Sequence, residues 1–240
     1  MPLRIAFDLD GVLADMESAL VRQAERRFGP LPPSPDTVNE SRGTGADDSE
    51  ADPDPPPLHK VNLTARQQKQ LWRDIGSIEN FWEGLSEIEP GVVERLAEVS
   101  VARRWEVIFL TKRPETAGAT AQVQTQRWLA SRGFTMPSVY VVQGSRGRIA
   151  AALNLDVVVD DRPENCLDVV VDSRARAILV WRDTADAPAA TKKLGIGVVR
   201  SVNDCLDVLT AATSSAPEPG MVARLKRMLG LDTPSSTHQP

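Results

Sequence analysis

The segment AFDLDGVLAD, residues 6–15, decides the fold of this 240-residue sequence. It overlaps an apolar run, Leu3–Phe7, that is typical of a buried β-strand, and it places Asp8 and Asp10 directly after that strand. Ligands of parallel α/β sheets bind outside the carboxyl ends of the strands. A lone carboxylate there usually caps a helix or forms a turn, so the remaining strands must show whether Asp8 and Asp10 belong to a larger site.

Five further apolar runs rich in Val and Ile predict the rest of a sheet that is buried on both faces. They are Glu106–Leu110, Ser138–Val142, Asp156–Val159, Ala177–Trp181 and Gly197–Val199. Helical patterns separate them, at Pro90–Val101, Glu115–Arg132, Arg148–Leu153, Glu164–Val170 and Val202–Ala212. This alternation predicts the α/β class, with a doubly wound, Rossmann-like parallel sheet.

A long interruption separates the first predicted strand from the second. It contains helical patterns near Asp15–Phe28 and Leu63–Ile75, and a Pro-rich segment, 30–57, whose composition is typical of flexible chain. We therefore predict that residues 16–88 form a small helical cap inserted after the first strand. The core would then consist of residues 1–15 and 89–212.

The last part of the chain, residues 213–240, is predicted to be a linker followed by an amphipathic helix. Met221, Leu225, Met228 and Leu229 recur at helical spacing on one face. We favour a helix that docks on its own domain or on a second copy of the chain, so a homodimer is one expectation. The alternative is a basic helix that binds a partner or a membrane surface.

Composition limits the classes of partner. The 28 basic and 33 acidic side chains give a net charge of −5, which provides no basic surface for a nucleic acid polymer. No apolar run reaches the length of a membrane helix. The chain has two cysteines, too few for a disulfide framework, and its first residues lack the apolar region of a signal peptide, so we expect a cytoplasmic protein.

Polar residues follow four successive predicted strands, and we expect them to meet at one edge of the sheet. Carboxylates that converge there repel one another unless a cation lies between them, and Mg²⁺ is a hard cation that prefers oxygen ligands. The carboxylates of Asp8 and Asp160 would supply two of these ligands. In chain order, the strand-end residues are Asp8 and Asp10, Thr111 and Lys112, Arg146 and Arg148, and Asp160 and Asp161.

The side chains in this set are those that phosphoryl transfer requires. A carboxylate that faces phosphorus, as Asp8 would, is a competent nucleophile and forms an aspartyl-phosphate. Asp10 is placed to act as the general acid–base. The Thr111 hydroxyl can donate to a phosphoryl oxygen, and either Arg146 or Arg148 can balance its charge.

These segments resemble the four motifs of the haloacid dehalogenase (HAD) superfamily of phosphohydrolases. The resemblance implies that Asp8 is the nucleophile and a magnesium ligand. It implies that Asp10 is the acid–base and gives its backbone carbonyl to the metal, and that Asp160, with Asp161 beside it, completes the metal site. The matching segments, in order, are DLDGV from residue 8, IFLT ending at residue 111, SRGR from residue 145 and VVVDD from residue 157.

Three longer segments are similar to the cytosolic and mitochondrial 5′(3′)-deoxyribonucleotidases, which remove phosphate from deoxynucleoside monophosphates. They are DLDGVLADMESAL from residue 8, NFWEGLSEIEPGVVERL from residue 80 and VVVDDRPENC from residue 157. In that family a small helical cap holds aromatic residues against the base. The resemblance implies that Phe81 and Trp82 line a substrate pocket, since stacking tolerates different bases; ordinary packing inside the cap is the alternative.

The sequence departs from the nucleotidase pattern in its cations. Arg146 and Arg148 stand where the third motif usually offers Lys, and the planar guanidinium is not equivalent to an ammonium group. Lys112 and Arg113 follow Thr111 as additional cations. They would bind a second anionic group, or Arg113 would pair with Asp161 or with Glu115.

Together these features predict a Mg²⁺-dependent phosphatase for a small phosphomonoester. The resemblance favours a nucleoside monophosphate as substrate. A sugar phosphate or another metabolite is the alternative substrate, and a binding protein that keeps the fold without turnover is the alternative function.

Overall fold

The computed structural model describes residues 2–31 and 62–213. Across these residues the chain forms one parallel six-stranded sheet. Every predicted strand is confirmed, with its ends moved by one residue at most. The strands are Arg4–Asp8 (β1), Glu106–Thr111 (β2), Ser138–Val141 (β3), Val157–Asp160 (β4), Arg176–Val180 (β5) and Gly197–Val199 (β6).

Eight α-helices and one 3₁₀ helix, Phe81–Gly84, accompany the sheet in the described residues. The α-helices are Met16–Phe28 (α1), Ala65–Gly76 (α2), Val92–Arg103 (α3), Ala121–Ala130 (α4), Arg146–Ala152 (α5), Pro163–Asp172 (α6), Ala189–Lys193 (α7) and Val202–Thr213 (α8). The short helix α7 has no predicted counterpart, because five residues are too few to show a helical period.

The predicted start of α4 is wrong. The pattern Glu115–Arg132 predicts a single helix, but α4 begins only at Ala121. Gly118 breaks the helix because it adopts a left-handed backbone angle, φ +95°. The side chain of Asn80 then accepts a hydrogen bond from the Ala119 N–H at 2.9 Å, which ties this loop to the inserted residues.

The order of the strands, β3-β2-β1-β4-β5-β6, places β1 at the centre of the sheet. The chain builds outward from β1 through β2 and β3, and then returns to the other edge of β1 with β4. This reversal is the topological switch point of a doubly wound sheet, and ligands bind in the crevice that it opens. Asp8 and Asp160 end the two strands that flank the crevice.

Apolar side chains cover both faces of the sheet, as the continuous apolar runs predict. Alternate residues point to opposite sides: Phe7 and Val159 join one buried cluster, and Ala6 and Val158 join the other. Residues of α1, α2, α3, α4 and α8 pack in the first cluster, and residues of α5 and α6 pack in the second. The doubly wound α/β architecture is therefore confirmed.

The two ends of the segment between β1 and α3 are held together directly after β1. Ala14 and Glu87 form an antiparallel bridge, and backbone hydrogen bonds join Asp15 to Ser86 and Ile88 to Leu13. Most of the predicted Pro-rich segment 30–57 and of the predicted C-terminal segment 213–240, including its helix, lies outside the described residues. In the part of the chain that is described, no helix is both long and apolar enough to cross a membrane.

Helices α5 and α6 approach each other most closely at Gly147. A Cβ atom at this position would lie 2.1 Å from the backbone oxygen of Asp168 and 2.6 Å from the Cβ of Asp172. Any larger residue must therefore push the two helices apart.

We expect Gly147→Ala to lower the free energy of unfolding by about 1–3 kcal/mol, the usual cost of overpacking a close contact. Urea denaturation measures this difference. Gly144→Ala is the matched control, because a Cβ there meets nothing within 4 Å. Equal stabilities for the two variants would contradict the close approach of α5 and α6.

Glu89 caps the N-terminus of α8 from a distant part of the chain. Its carboxylate accepts hydrogen bonds from the Val202 N–H at 2.7 Å and the Asn203 N–H at 3.0 Å, and it pairs with Arg182 at 2.7 Å. Partial burial by itself would raise the pKa of Glu89. The hydrogen bonds from Val202, Arg182 and Asn203 outweigh burial and hold the pKa below its ordinary value of 4.5.

We expect Glu89→Ala to lower the free energy of unfolding by about 0.5–2 kcal/mol at neutral pH, as the loss of a helix cap does. Because the folded pKa of Glu89 is depressed, its contribution is complete above pH 4.5 and is lost as the pH falls through the folded pKa. Denaturation of both proteins across this range should show the difference shrinking in acid. Glu98→Ala, at an exposed position of α3, should show no such difference.

Candidate functional site

Two buried carboxylates stand side by side at the switch point of the sheet. Phe7 of β1 pairs with Val159 of β4, so the next residue of each strand, Asp8 and Asp160, ends its strand at the same level. Asp8 is 6% exposed and Asp160 is fully buried. The predicted meeting of these two residues at one edge of the sheet is confirmed.

Arg146 lies between the two carboxylates. Its Nη2 donates to Asp8 Oδ1, and its Nε lies 3.6 Å from Asp160 Oδ2. The side chain is only 2% exposed, yet within the described structure its Nε and Nη1 atoms have no hydrogen-bond acceptor. Buried N–H groups rarely lack a partner, so this guanidinium is equipped to bind an anionic group beside Asp8.

The position of α5 decides between the two candidate arginines. The helix begins at Arg146, two residues earlier than the sequence pattern predicts, and Ser145 caps it by accepting from the Gly147 N–H at 3.2 Å. This places Arg146 in the site and leaves Arg148 exposed to solvent. Lys112 is exposed as well, and the structure brings neither Arg148 nor Lys112 to Asp8.

Asp10 is held by a second buried arginine. Arg113 Nε lies 3.0 Å from both oxygens of Asp10, and its Nη2 donates to Asp10 Oδ1 at 2.7 Å. The Thr111 hydroxyl donates to Asp10 Oδ2 at 2.9 Å. The alternative in which Arg113 pairs with Asp161 or Glu115 is therefore wrong, because the guanidinium binds Asp10.

Trp82 of the aromatic pair lies against Arg113, the residue that holds Asp10. Trp82 is fully buried, its indole N–H donates to the Pro114 carbonyl at 3.0 Å, and its ring lies 5.1 Å from the Arg113 guanidinium carbon. Phe81 is 8% exposed and meets Trp82 edge to face. The assignment of Trp82 to a substrate pocket is contradicted, since no face of its ring is open to a ligand.

Asp161 packs against the turn that follows Asp10. Gly11 has φ +92°, and a Cβ at this position would lie 1.9 Å from Asp161 Oδ2, so only glycine fits. The other oxygen, Asp161 Oδ1, is buried and has no hydrogen-bond partner in the described structure. Asp161 is thus close to the first motif and has a free oxygen for a ligand.

Burial and mutual repulsion raise the pKa values of the clustered carboxyls. For Asp8, burial is the largest cause and the charge of Asp160 adds to it, while Arg146 opposes both; the net pKa lies well above its usual range. Burial likewise raises the pKa of Asp160, against the opposing effects of Arg146 and Asn165. Burial and the neighbouring Asp160 raise the pKa of Asp161 to about 7.

The charges of the cluster favour a cation. Uncompensated carboxylates are costly in a buried site, and here the carboxylates outnumber the buried guanidinium groups. The set consists of Asp8, Asp10, Asp160 and Asp161 against Arg113 and Arg146. A divalent cation would offset this excess of negative charge.

Two carboxylates at the strand ends are available as ligands for a magnesium ion. Among residues 2–31 and 62–213, no three His, Cys, Asp or Glu side chains form a ready metal cluster. Magnesium usually takes one or two carboxylates and fills its remaining positions with water and substrate phosphate. Asp8 and Asp160, with the unpartnered oxygen of Asp161 nearby, fit that requirement.

Two residues that support the site were not predicted from the sequence. Asn165 Nδ2 lies 3.0 Å from both oxygens of Asp160 and fixes that carboxylate. Arg182, after β5, donates to the carbonyls of Gly11 at 2.6 Å and Val12 at 3.0 Å, which secures the turn after Asp10. Arg182 directly follows a predicted strand, as the other site residues do. This position could have identified it as a site residue from the sequence.

No protein-family model matches this chain, and no curated protein sequence matches it. Solved structures do match. A HAD family hydrolase from Deinococcus radiodurans R1, with bound phosphate and sodium, has a TM-score of 0.51 and 17% identity over 88% of this chain and 96% of that one. A HAD-superfamily hydrolase of subfamily IA, variant 1, from Geobacter sulfurreducens PCA has a TM-score of 0.49 and 14% identity over 87% and 100% of the two chains. A hydrolase from Pseudomonas syringae has a TM-score of 0.49 and 17% identity over 90% and 100%. At this level of identity the likeness is one of fold, and the described chain has the HAD-like, doubly wound α/β fold.

Proposed function

We propose that this protein is a Mg²⁺-dependent phosphatase that hydrolyses a small phosphomonoester through an aspartyl-phosphate on Asp8. The observation that carries the proposal is Arg146, a buried guanidinium with unpartnered N–H groups between Asp8 and Asp160. An anionic group bound there would lie next to a carboxylate nucleophile. The solved HAD family hydrolase from Deinococcus radiodurans contains bound phosphate, the product that such a reaction releases.

Asp8 and Asp160 would hold the magnesium ion, together with the backbone carbonyl of Asp10 that the motif resemblance implies. Asp161 lies beside them and would offer its unpartnered Oδ1 to the same site. When bound, the ion supplies positive charge that lets these carboxylates stay ionised and that stabilises the charge of a transferring phosphoryl group.

Asp8, Asp10 and Arg146 each have a distinct role in the two half-reactions. Asp8 attacks phosphorus, the bond from phosphorus to the leaving oxygen breaks, and Asp10 gives its proton to that oxygen. In the second half Asp10 takes a proton from the attacking water, and phosphate leaves as Asp8 is restored. Arg146 binds the phosphoryl oxygens and balances their charge throughout.

Two classes of small phosphomonoester are candidate substrates. The sequence resemblance supports a nucleoside monophosphate. Trp82, one of the two rings that the resemblance assigns to the base, is fully buried, so a sugar phosphate or another small phosphomonoester is the second candidate. The expected absence of nucleic acid polymers as partners follows from the acidic net charge of −5.

We expect the purified protein to hydrolyse p-nitrophenyl phosphate in the presence of Mg²⁺. Asp8→Asn should lower kcat at least about a thousandfold, as removal of a nucleophile does, and chelation of divalent metal should have a comparable effect. Asp204→Asn, an equivalent change at an exposed position of α8, is the control. Full activity in Asp8→Asn or without divalent metal would refute the proposed function.

A panel of nucleoside monophosphates and sugar phosphates, tested with the wild type and with Phe81→Leu, addresses the substrate. A stacked base is worth about 1–3 kcal/mol, so loss of a stacking ring would reduce kcat/KM selectively for nucleotides. Because Phe81 packs edge to face on buried Trp82, we expect both substrate classes to change by the same factor. A loss confined to nucleotides would instead establish Phe81 as a base platform.

A further inference from the structure

The Arg113 guanidinium is fixed on every side. Its side chain has no exposed surface. Nε and Nη2 engage Asp10, while Nη1 donates to the Thr125 hydroxyl at 2.9 Å. The guanidinium carbon lies over the Trp82 ring, 5.1 Å from its centroid, an arrangement that favours a cation.

The groups that hold Arg113 are themselves held. Thr125 donates its own proton to the Ala121 carbonyl at 2.7 Å, so its oxygen is left to accept from Arg113. The Trp82 backbone N–H donates to Gln124 Oε1 at 3.0 Å, and Gln124 is bound in turn to the Ala119 carbonyl. Residues of α4 and of the 3₁₀ helix thus fix the orientation of the guanidinium that binds Asp10.

A contribution to stability is a weak explanation for this arrangement. Removing a guanidinium from water is unfavourable, and buried ion pairs are often no more stabilising than apolar residues of similar volume. A planar fork does, however, constrain a carboxylate in a way that a point charge cannot. Arg113 Nε, Arg113 Nη2 and the Thr111 hydroxyl donate to the two Asp10 oxygens. A carboxyl group has about four acceptor sites, so these three donors leave one site for a proton.

The two buried arginines of the site therefore have different tasks. Arg146 has unpartnered N–H groups beside Asp8 and can bind a phosphoryl group. Arg113 has no exposed surface and directs its fork to Asp10. It can reach a substrate only through Asp10.

We propose that Arg113 is a positioning residue that fixes the plane of the Asp10 carboxylate, so that its proton is aimed at the oxygen of the leaving group. This role rests on the proposed phosphatase function. As the phosphorus–oxygen bond to the leaving group breaks and the Asp8–phosphorus bond forms, the Asp10 proton passes to the leaving oxygen. A misaligned Asp10 slows this step only when the leaving group needs the proton.

The test compares two phosphomonoesters that differ in this need. 2,4-Dinitrophenyl phosphate expels a stable anion without protonation, whereas a simple alkyl phosphate requires a proton from the general acid. The measured quantity is kcat/KM, which reports phosphoryl transfer to Asp8 and not the later hydrolysis. Since positioned acid–base groups contribute about 10²–10⁴-fold, we expect Arg113→Lys to lower kcat/KM about a hundredfold for the alkyl ester and far less for the dinitrophenyl ester.

Three further variants make the interpretation specific. Thr125→Val removes the hydrogen bond from Arg113 Nη1, together with the bond from Thr125 to the Ala121 carbonyl of its own helix. It should show the same selectivity to a smaller extent, which keeps the test valid if Arg113→Lys folds poorly. In an Asp10→Asn background, Arg113→Lys should bring no additional loss on the alkyl ester. Arg103→Lys, at an exposed position of α3, should match the wild type on both esters.

Equal losses on the two esters, accompanied by a lower Tm, would assign Arg113 a purely structural role and overturn the inference. Undiminished activity of Arg113→Lys on the alkyl ester would overturn it as well. Wild-type turnover of the dinitrophenyl ester that is abolished in Asp8→Asn establishes the phosphatase function without reference to Arg113. Failure of the positioning role is therefore distinguishable from failure of the proposed function.

Discussion

The carboxylates of Asp8 and Asp160 are buried together at the ends of β1 and β4, and the other features of the site offset the penalty of placing them there. Two charges of one sign in a region of low dielectric repel strongly and lose their hydration. Arg146 lies between them, and Asn165 donates to Asp160. The partners nonetheless leave an excess of negative charge, and this excess is the physical reason to expect a bound cation.

The topology makes this proximity unavoidable. Once β1 occupies the centre of the sheet and β4 returns to its free edge, the residues that end these strands must be neighbours. Apolar helices cover both faces, so the carboxyl edge is the place where polar chemistry can reach solvent. The site is therefore a consequence of strand order, and the residues after each strand determine what it can bind.

The strands and most of the strand-end residues could be predicted because they depend on local pattern. A run such as Glu106–Leu110 is apolar enough to indicate a strand by itself, and parallel strands end at a common edge. The pairing of Arg113 with Asp10 could not be predicted, because the two residues are about a hundred positions apart and several carboxylates were equally plausible partners. The late start of α4 depends on a left-handed Gly118 and on Asn80, a contact between distant segments.

The surroundings of Trp82 also could not be predicted from the local sequence. Its position beside Phe81 suggested a ring that faces a ligand, and the structure turns it toward a guanidinium. The amphipathic ring with its N–H group suits either role, since both place a flat partner over its face. Only the position of Arg113, supplied by a loop after β2, distinguishes them.

The placement of Trp82 also bears on how the inserted residues could be exchanged during evolution. An insertion that joins the core through one pair of linkers looks modular, because it could be replaced without disturbing the sheet. Yet its last turn forms the wall behind Arg113, and Arg113 holds Asp10. A replacement that kept the 3₁₀ helix would keep the contact between Trp82 and Arg113, whereas one that included the 3₁₀ helix would have to replace that contact.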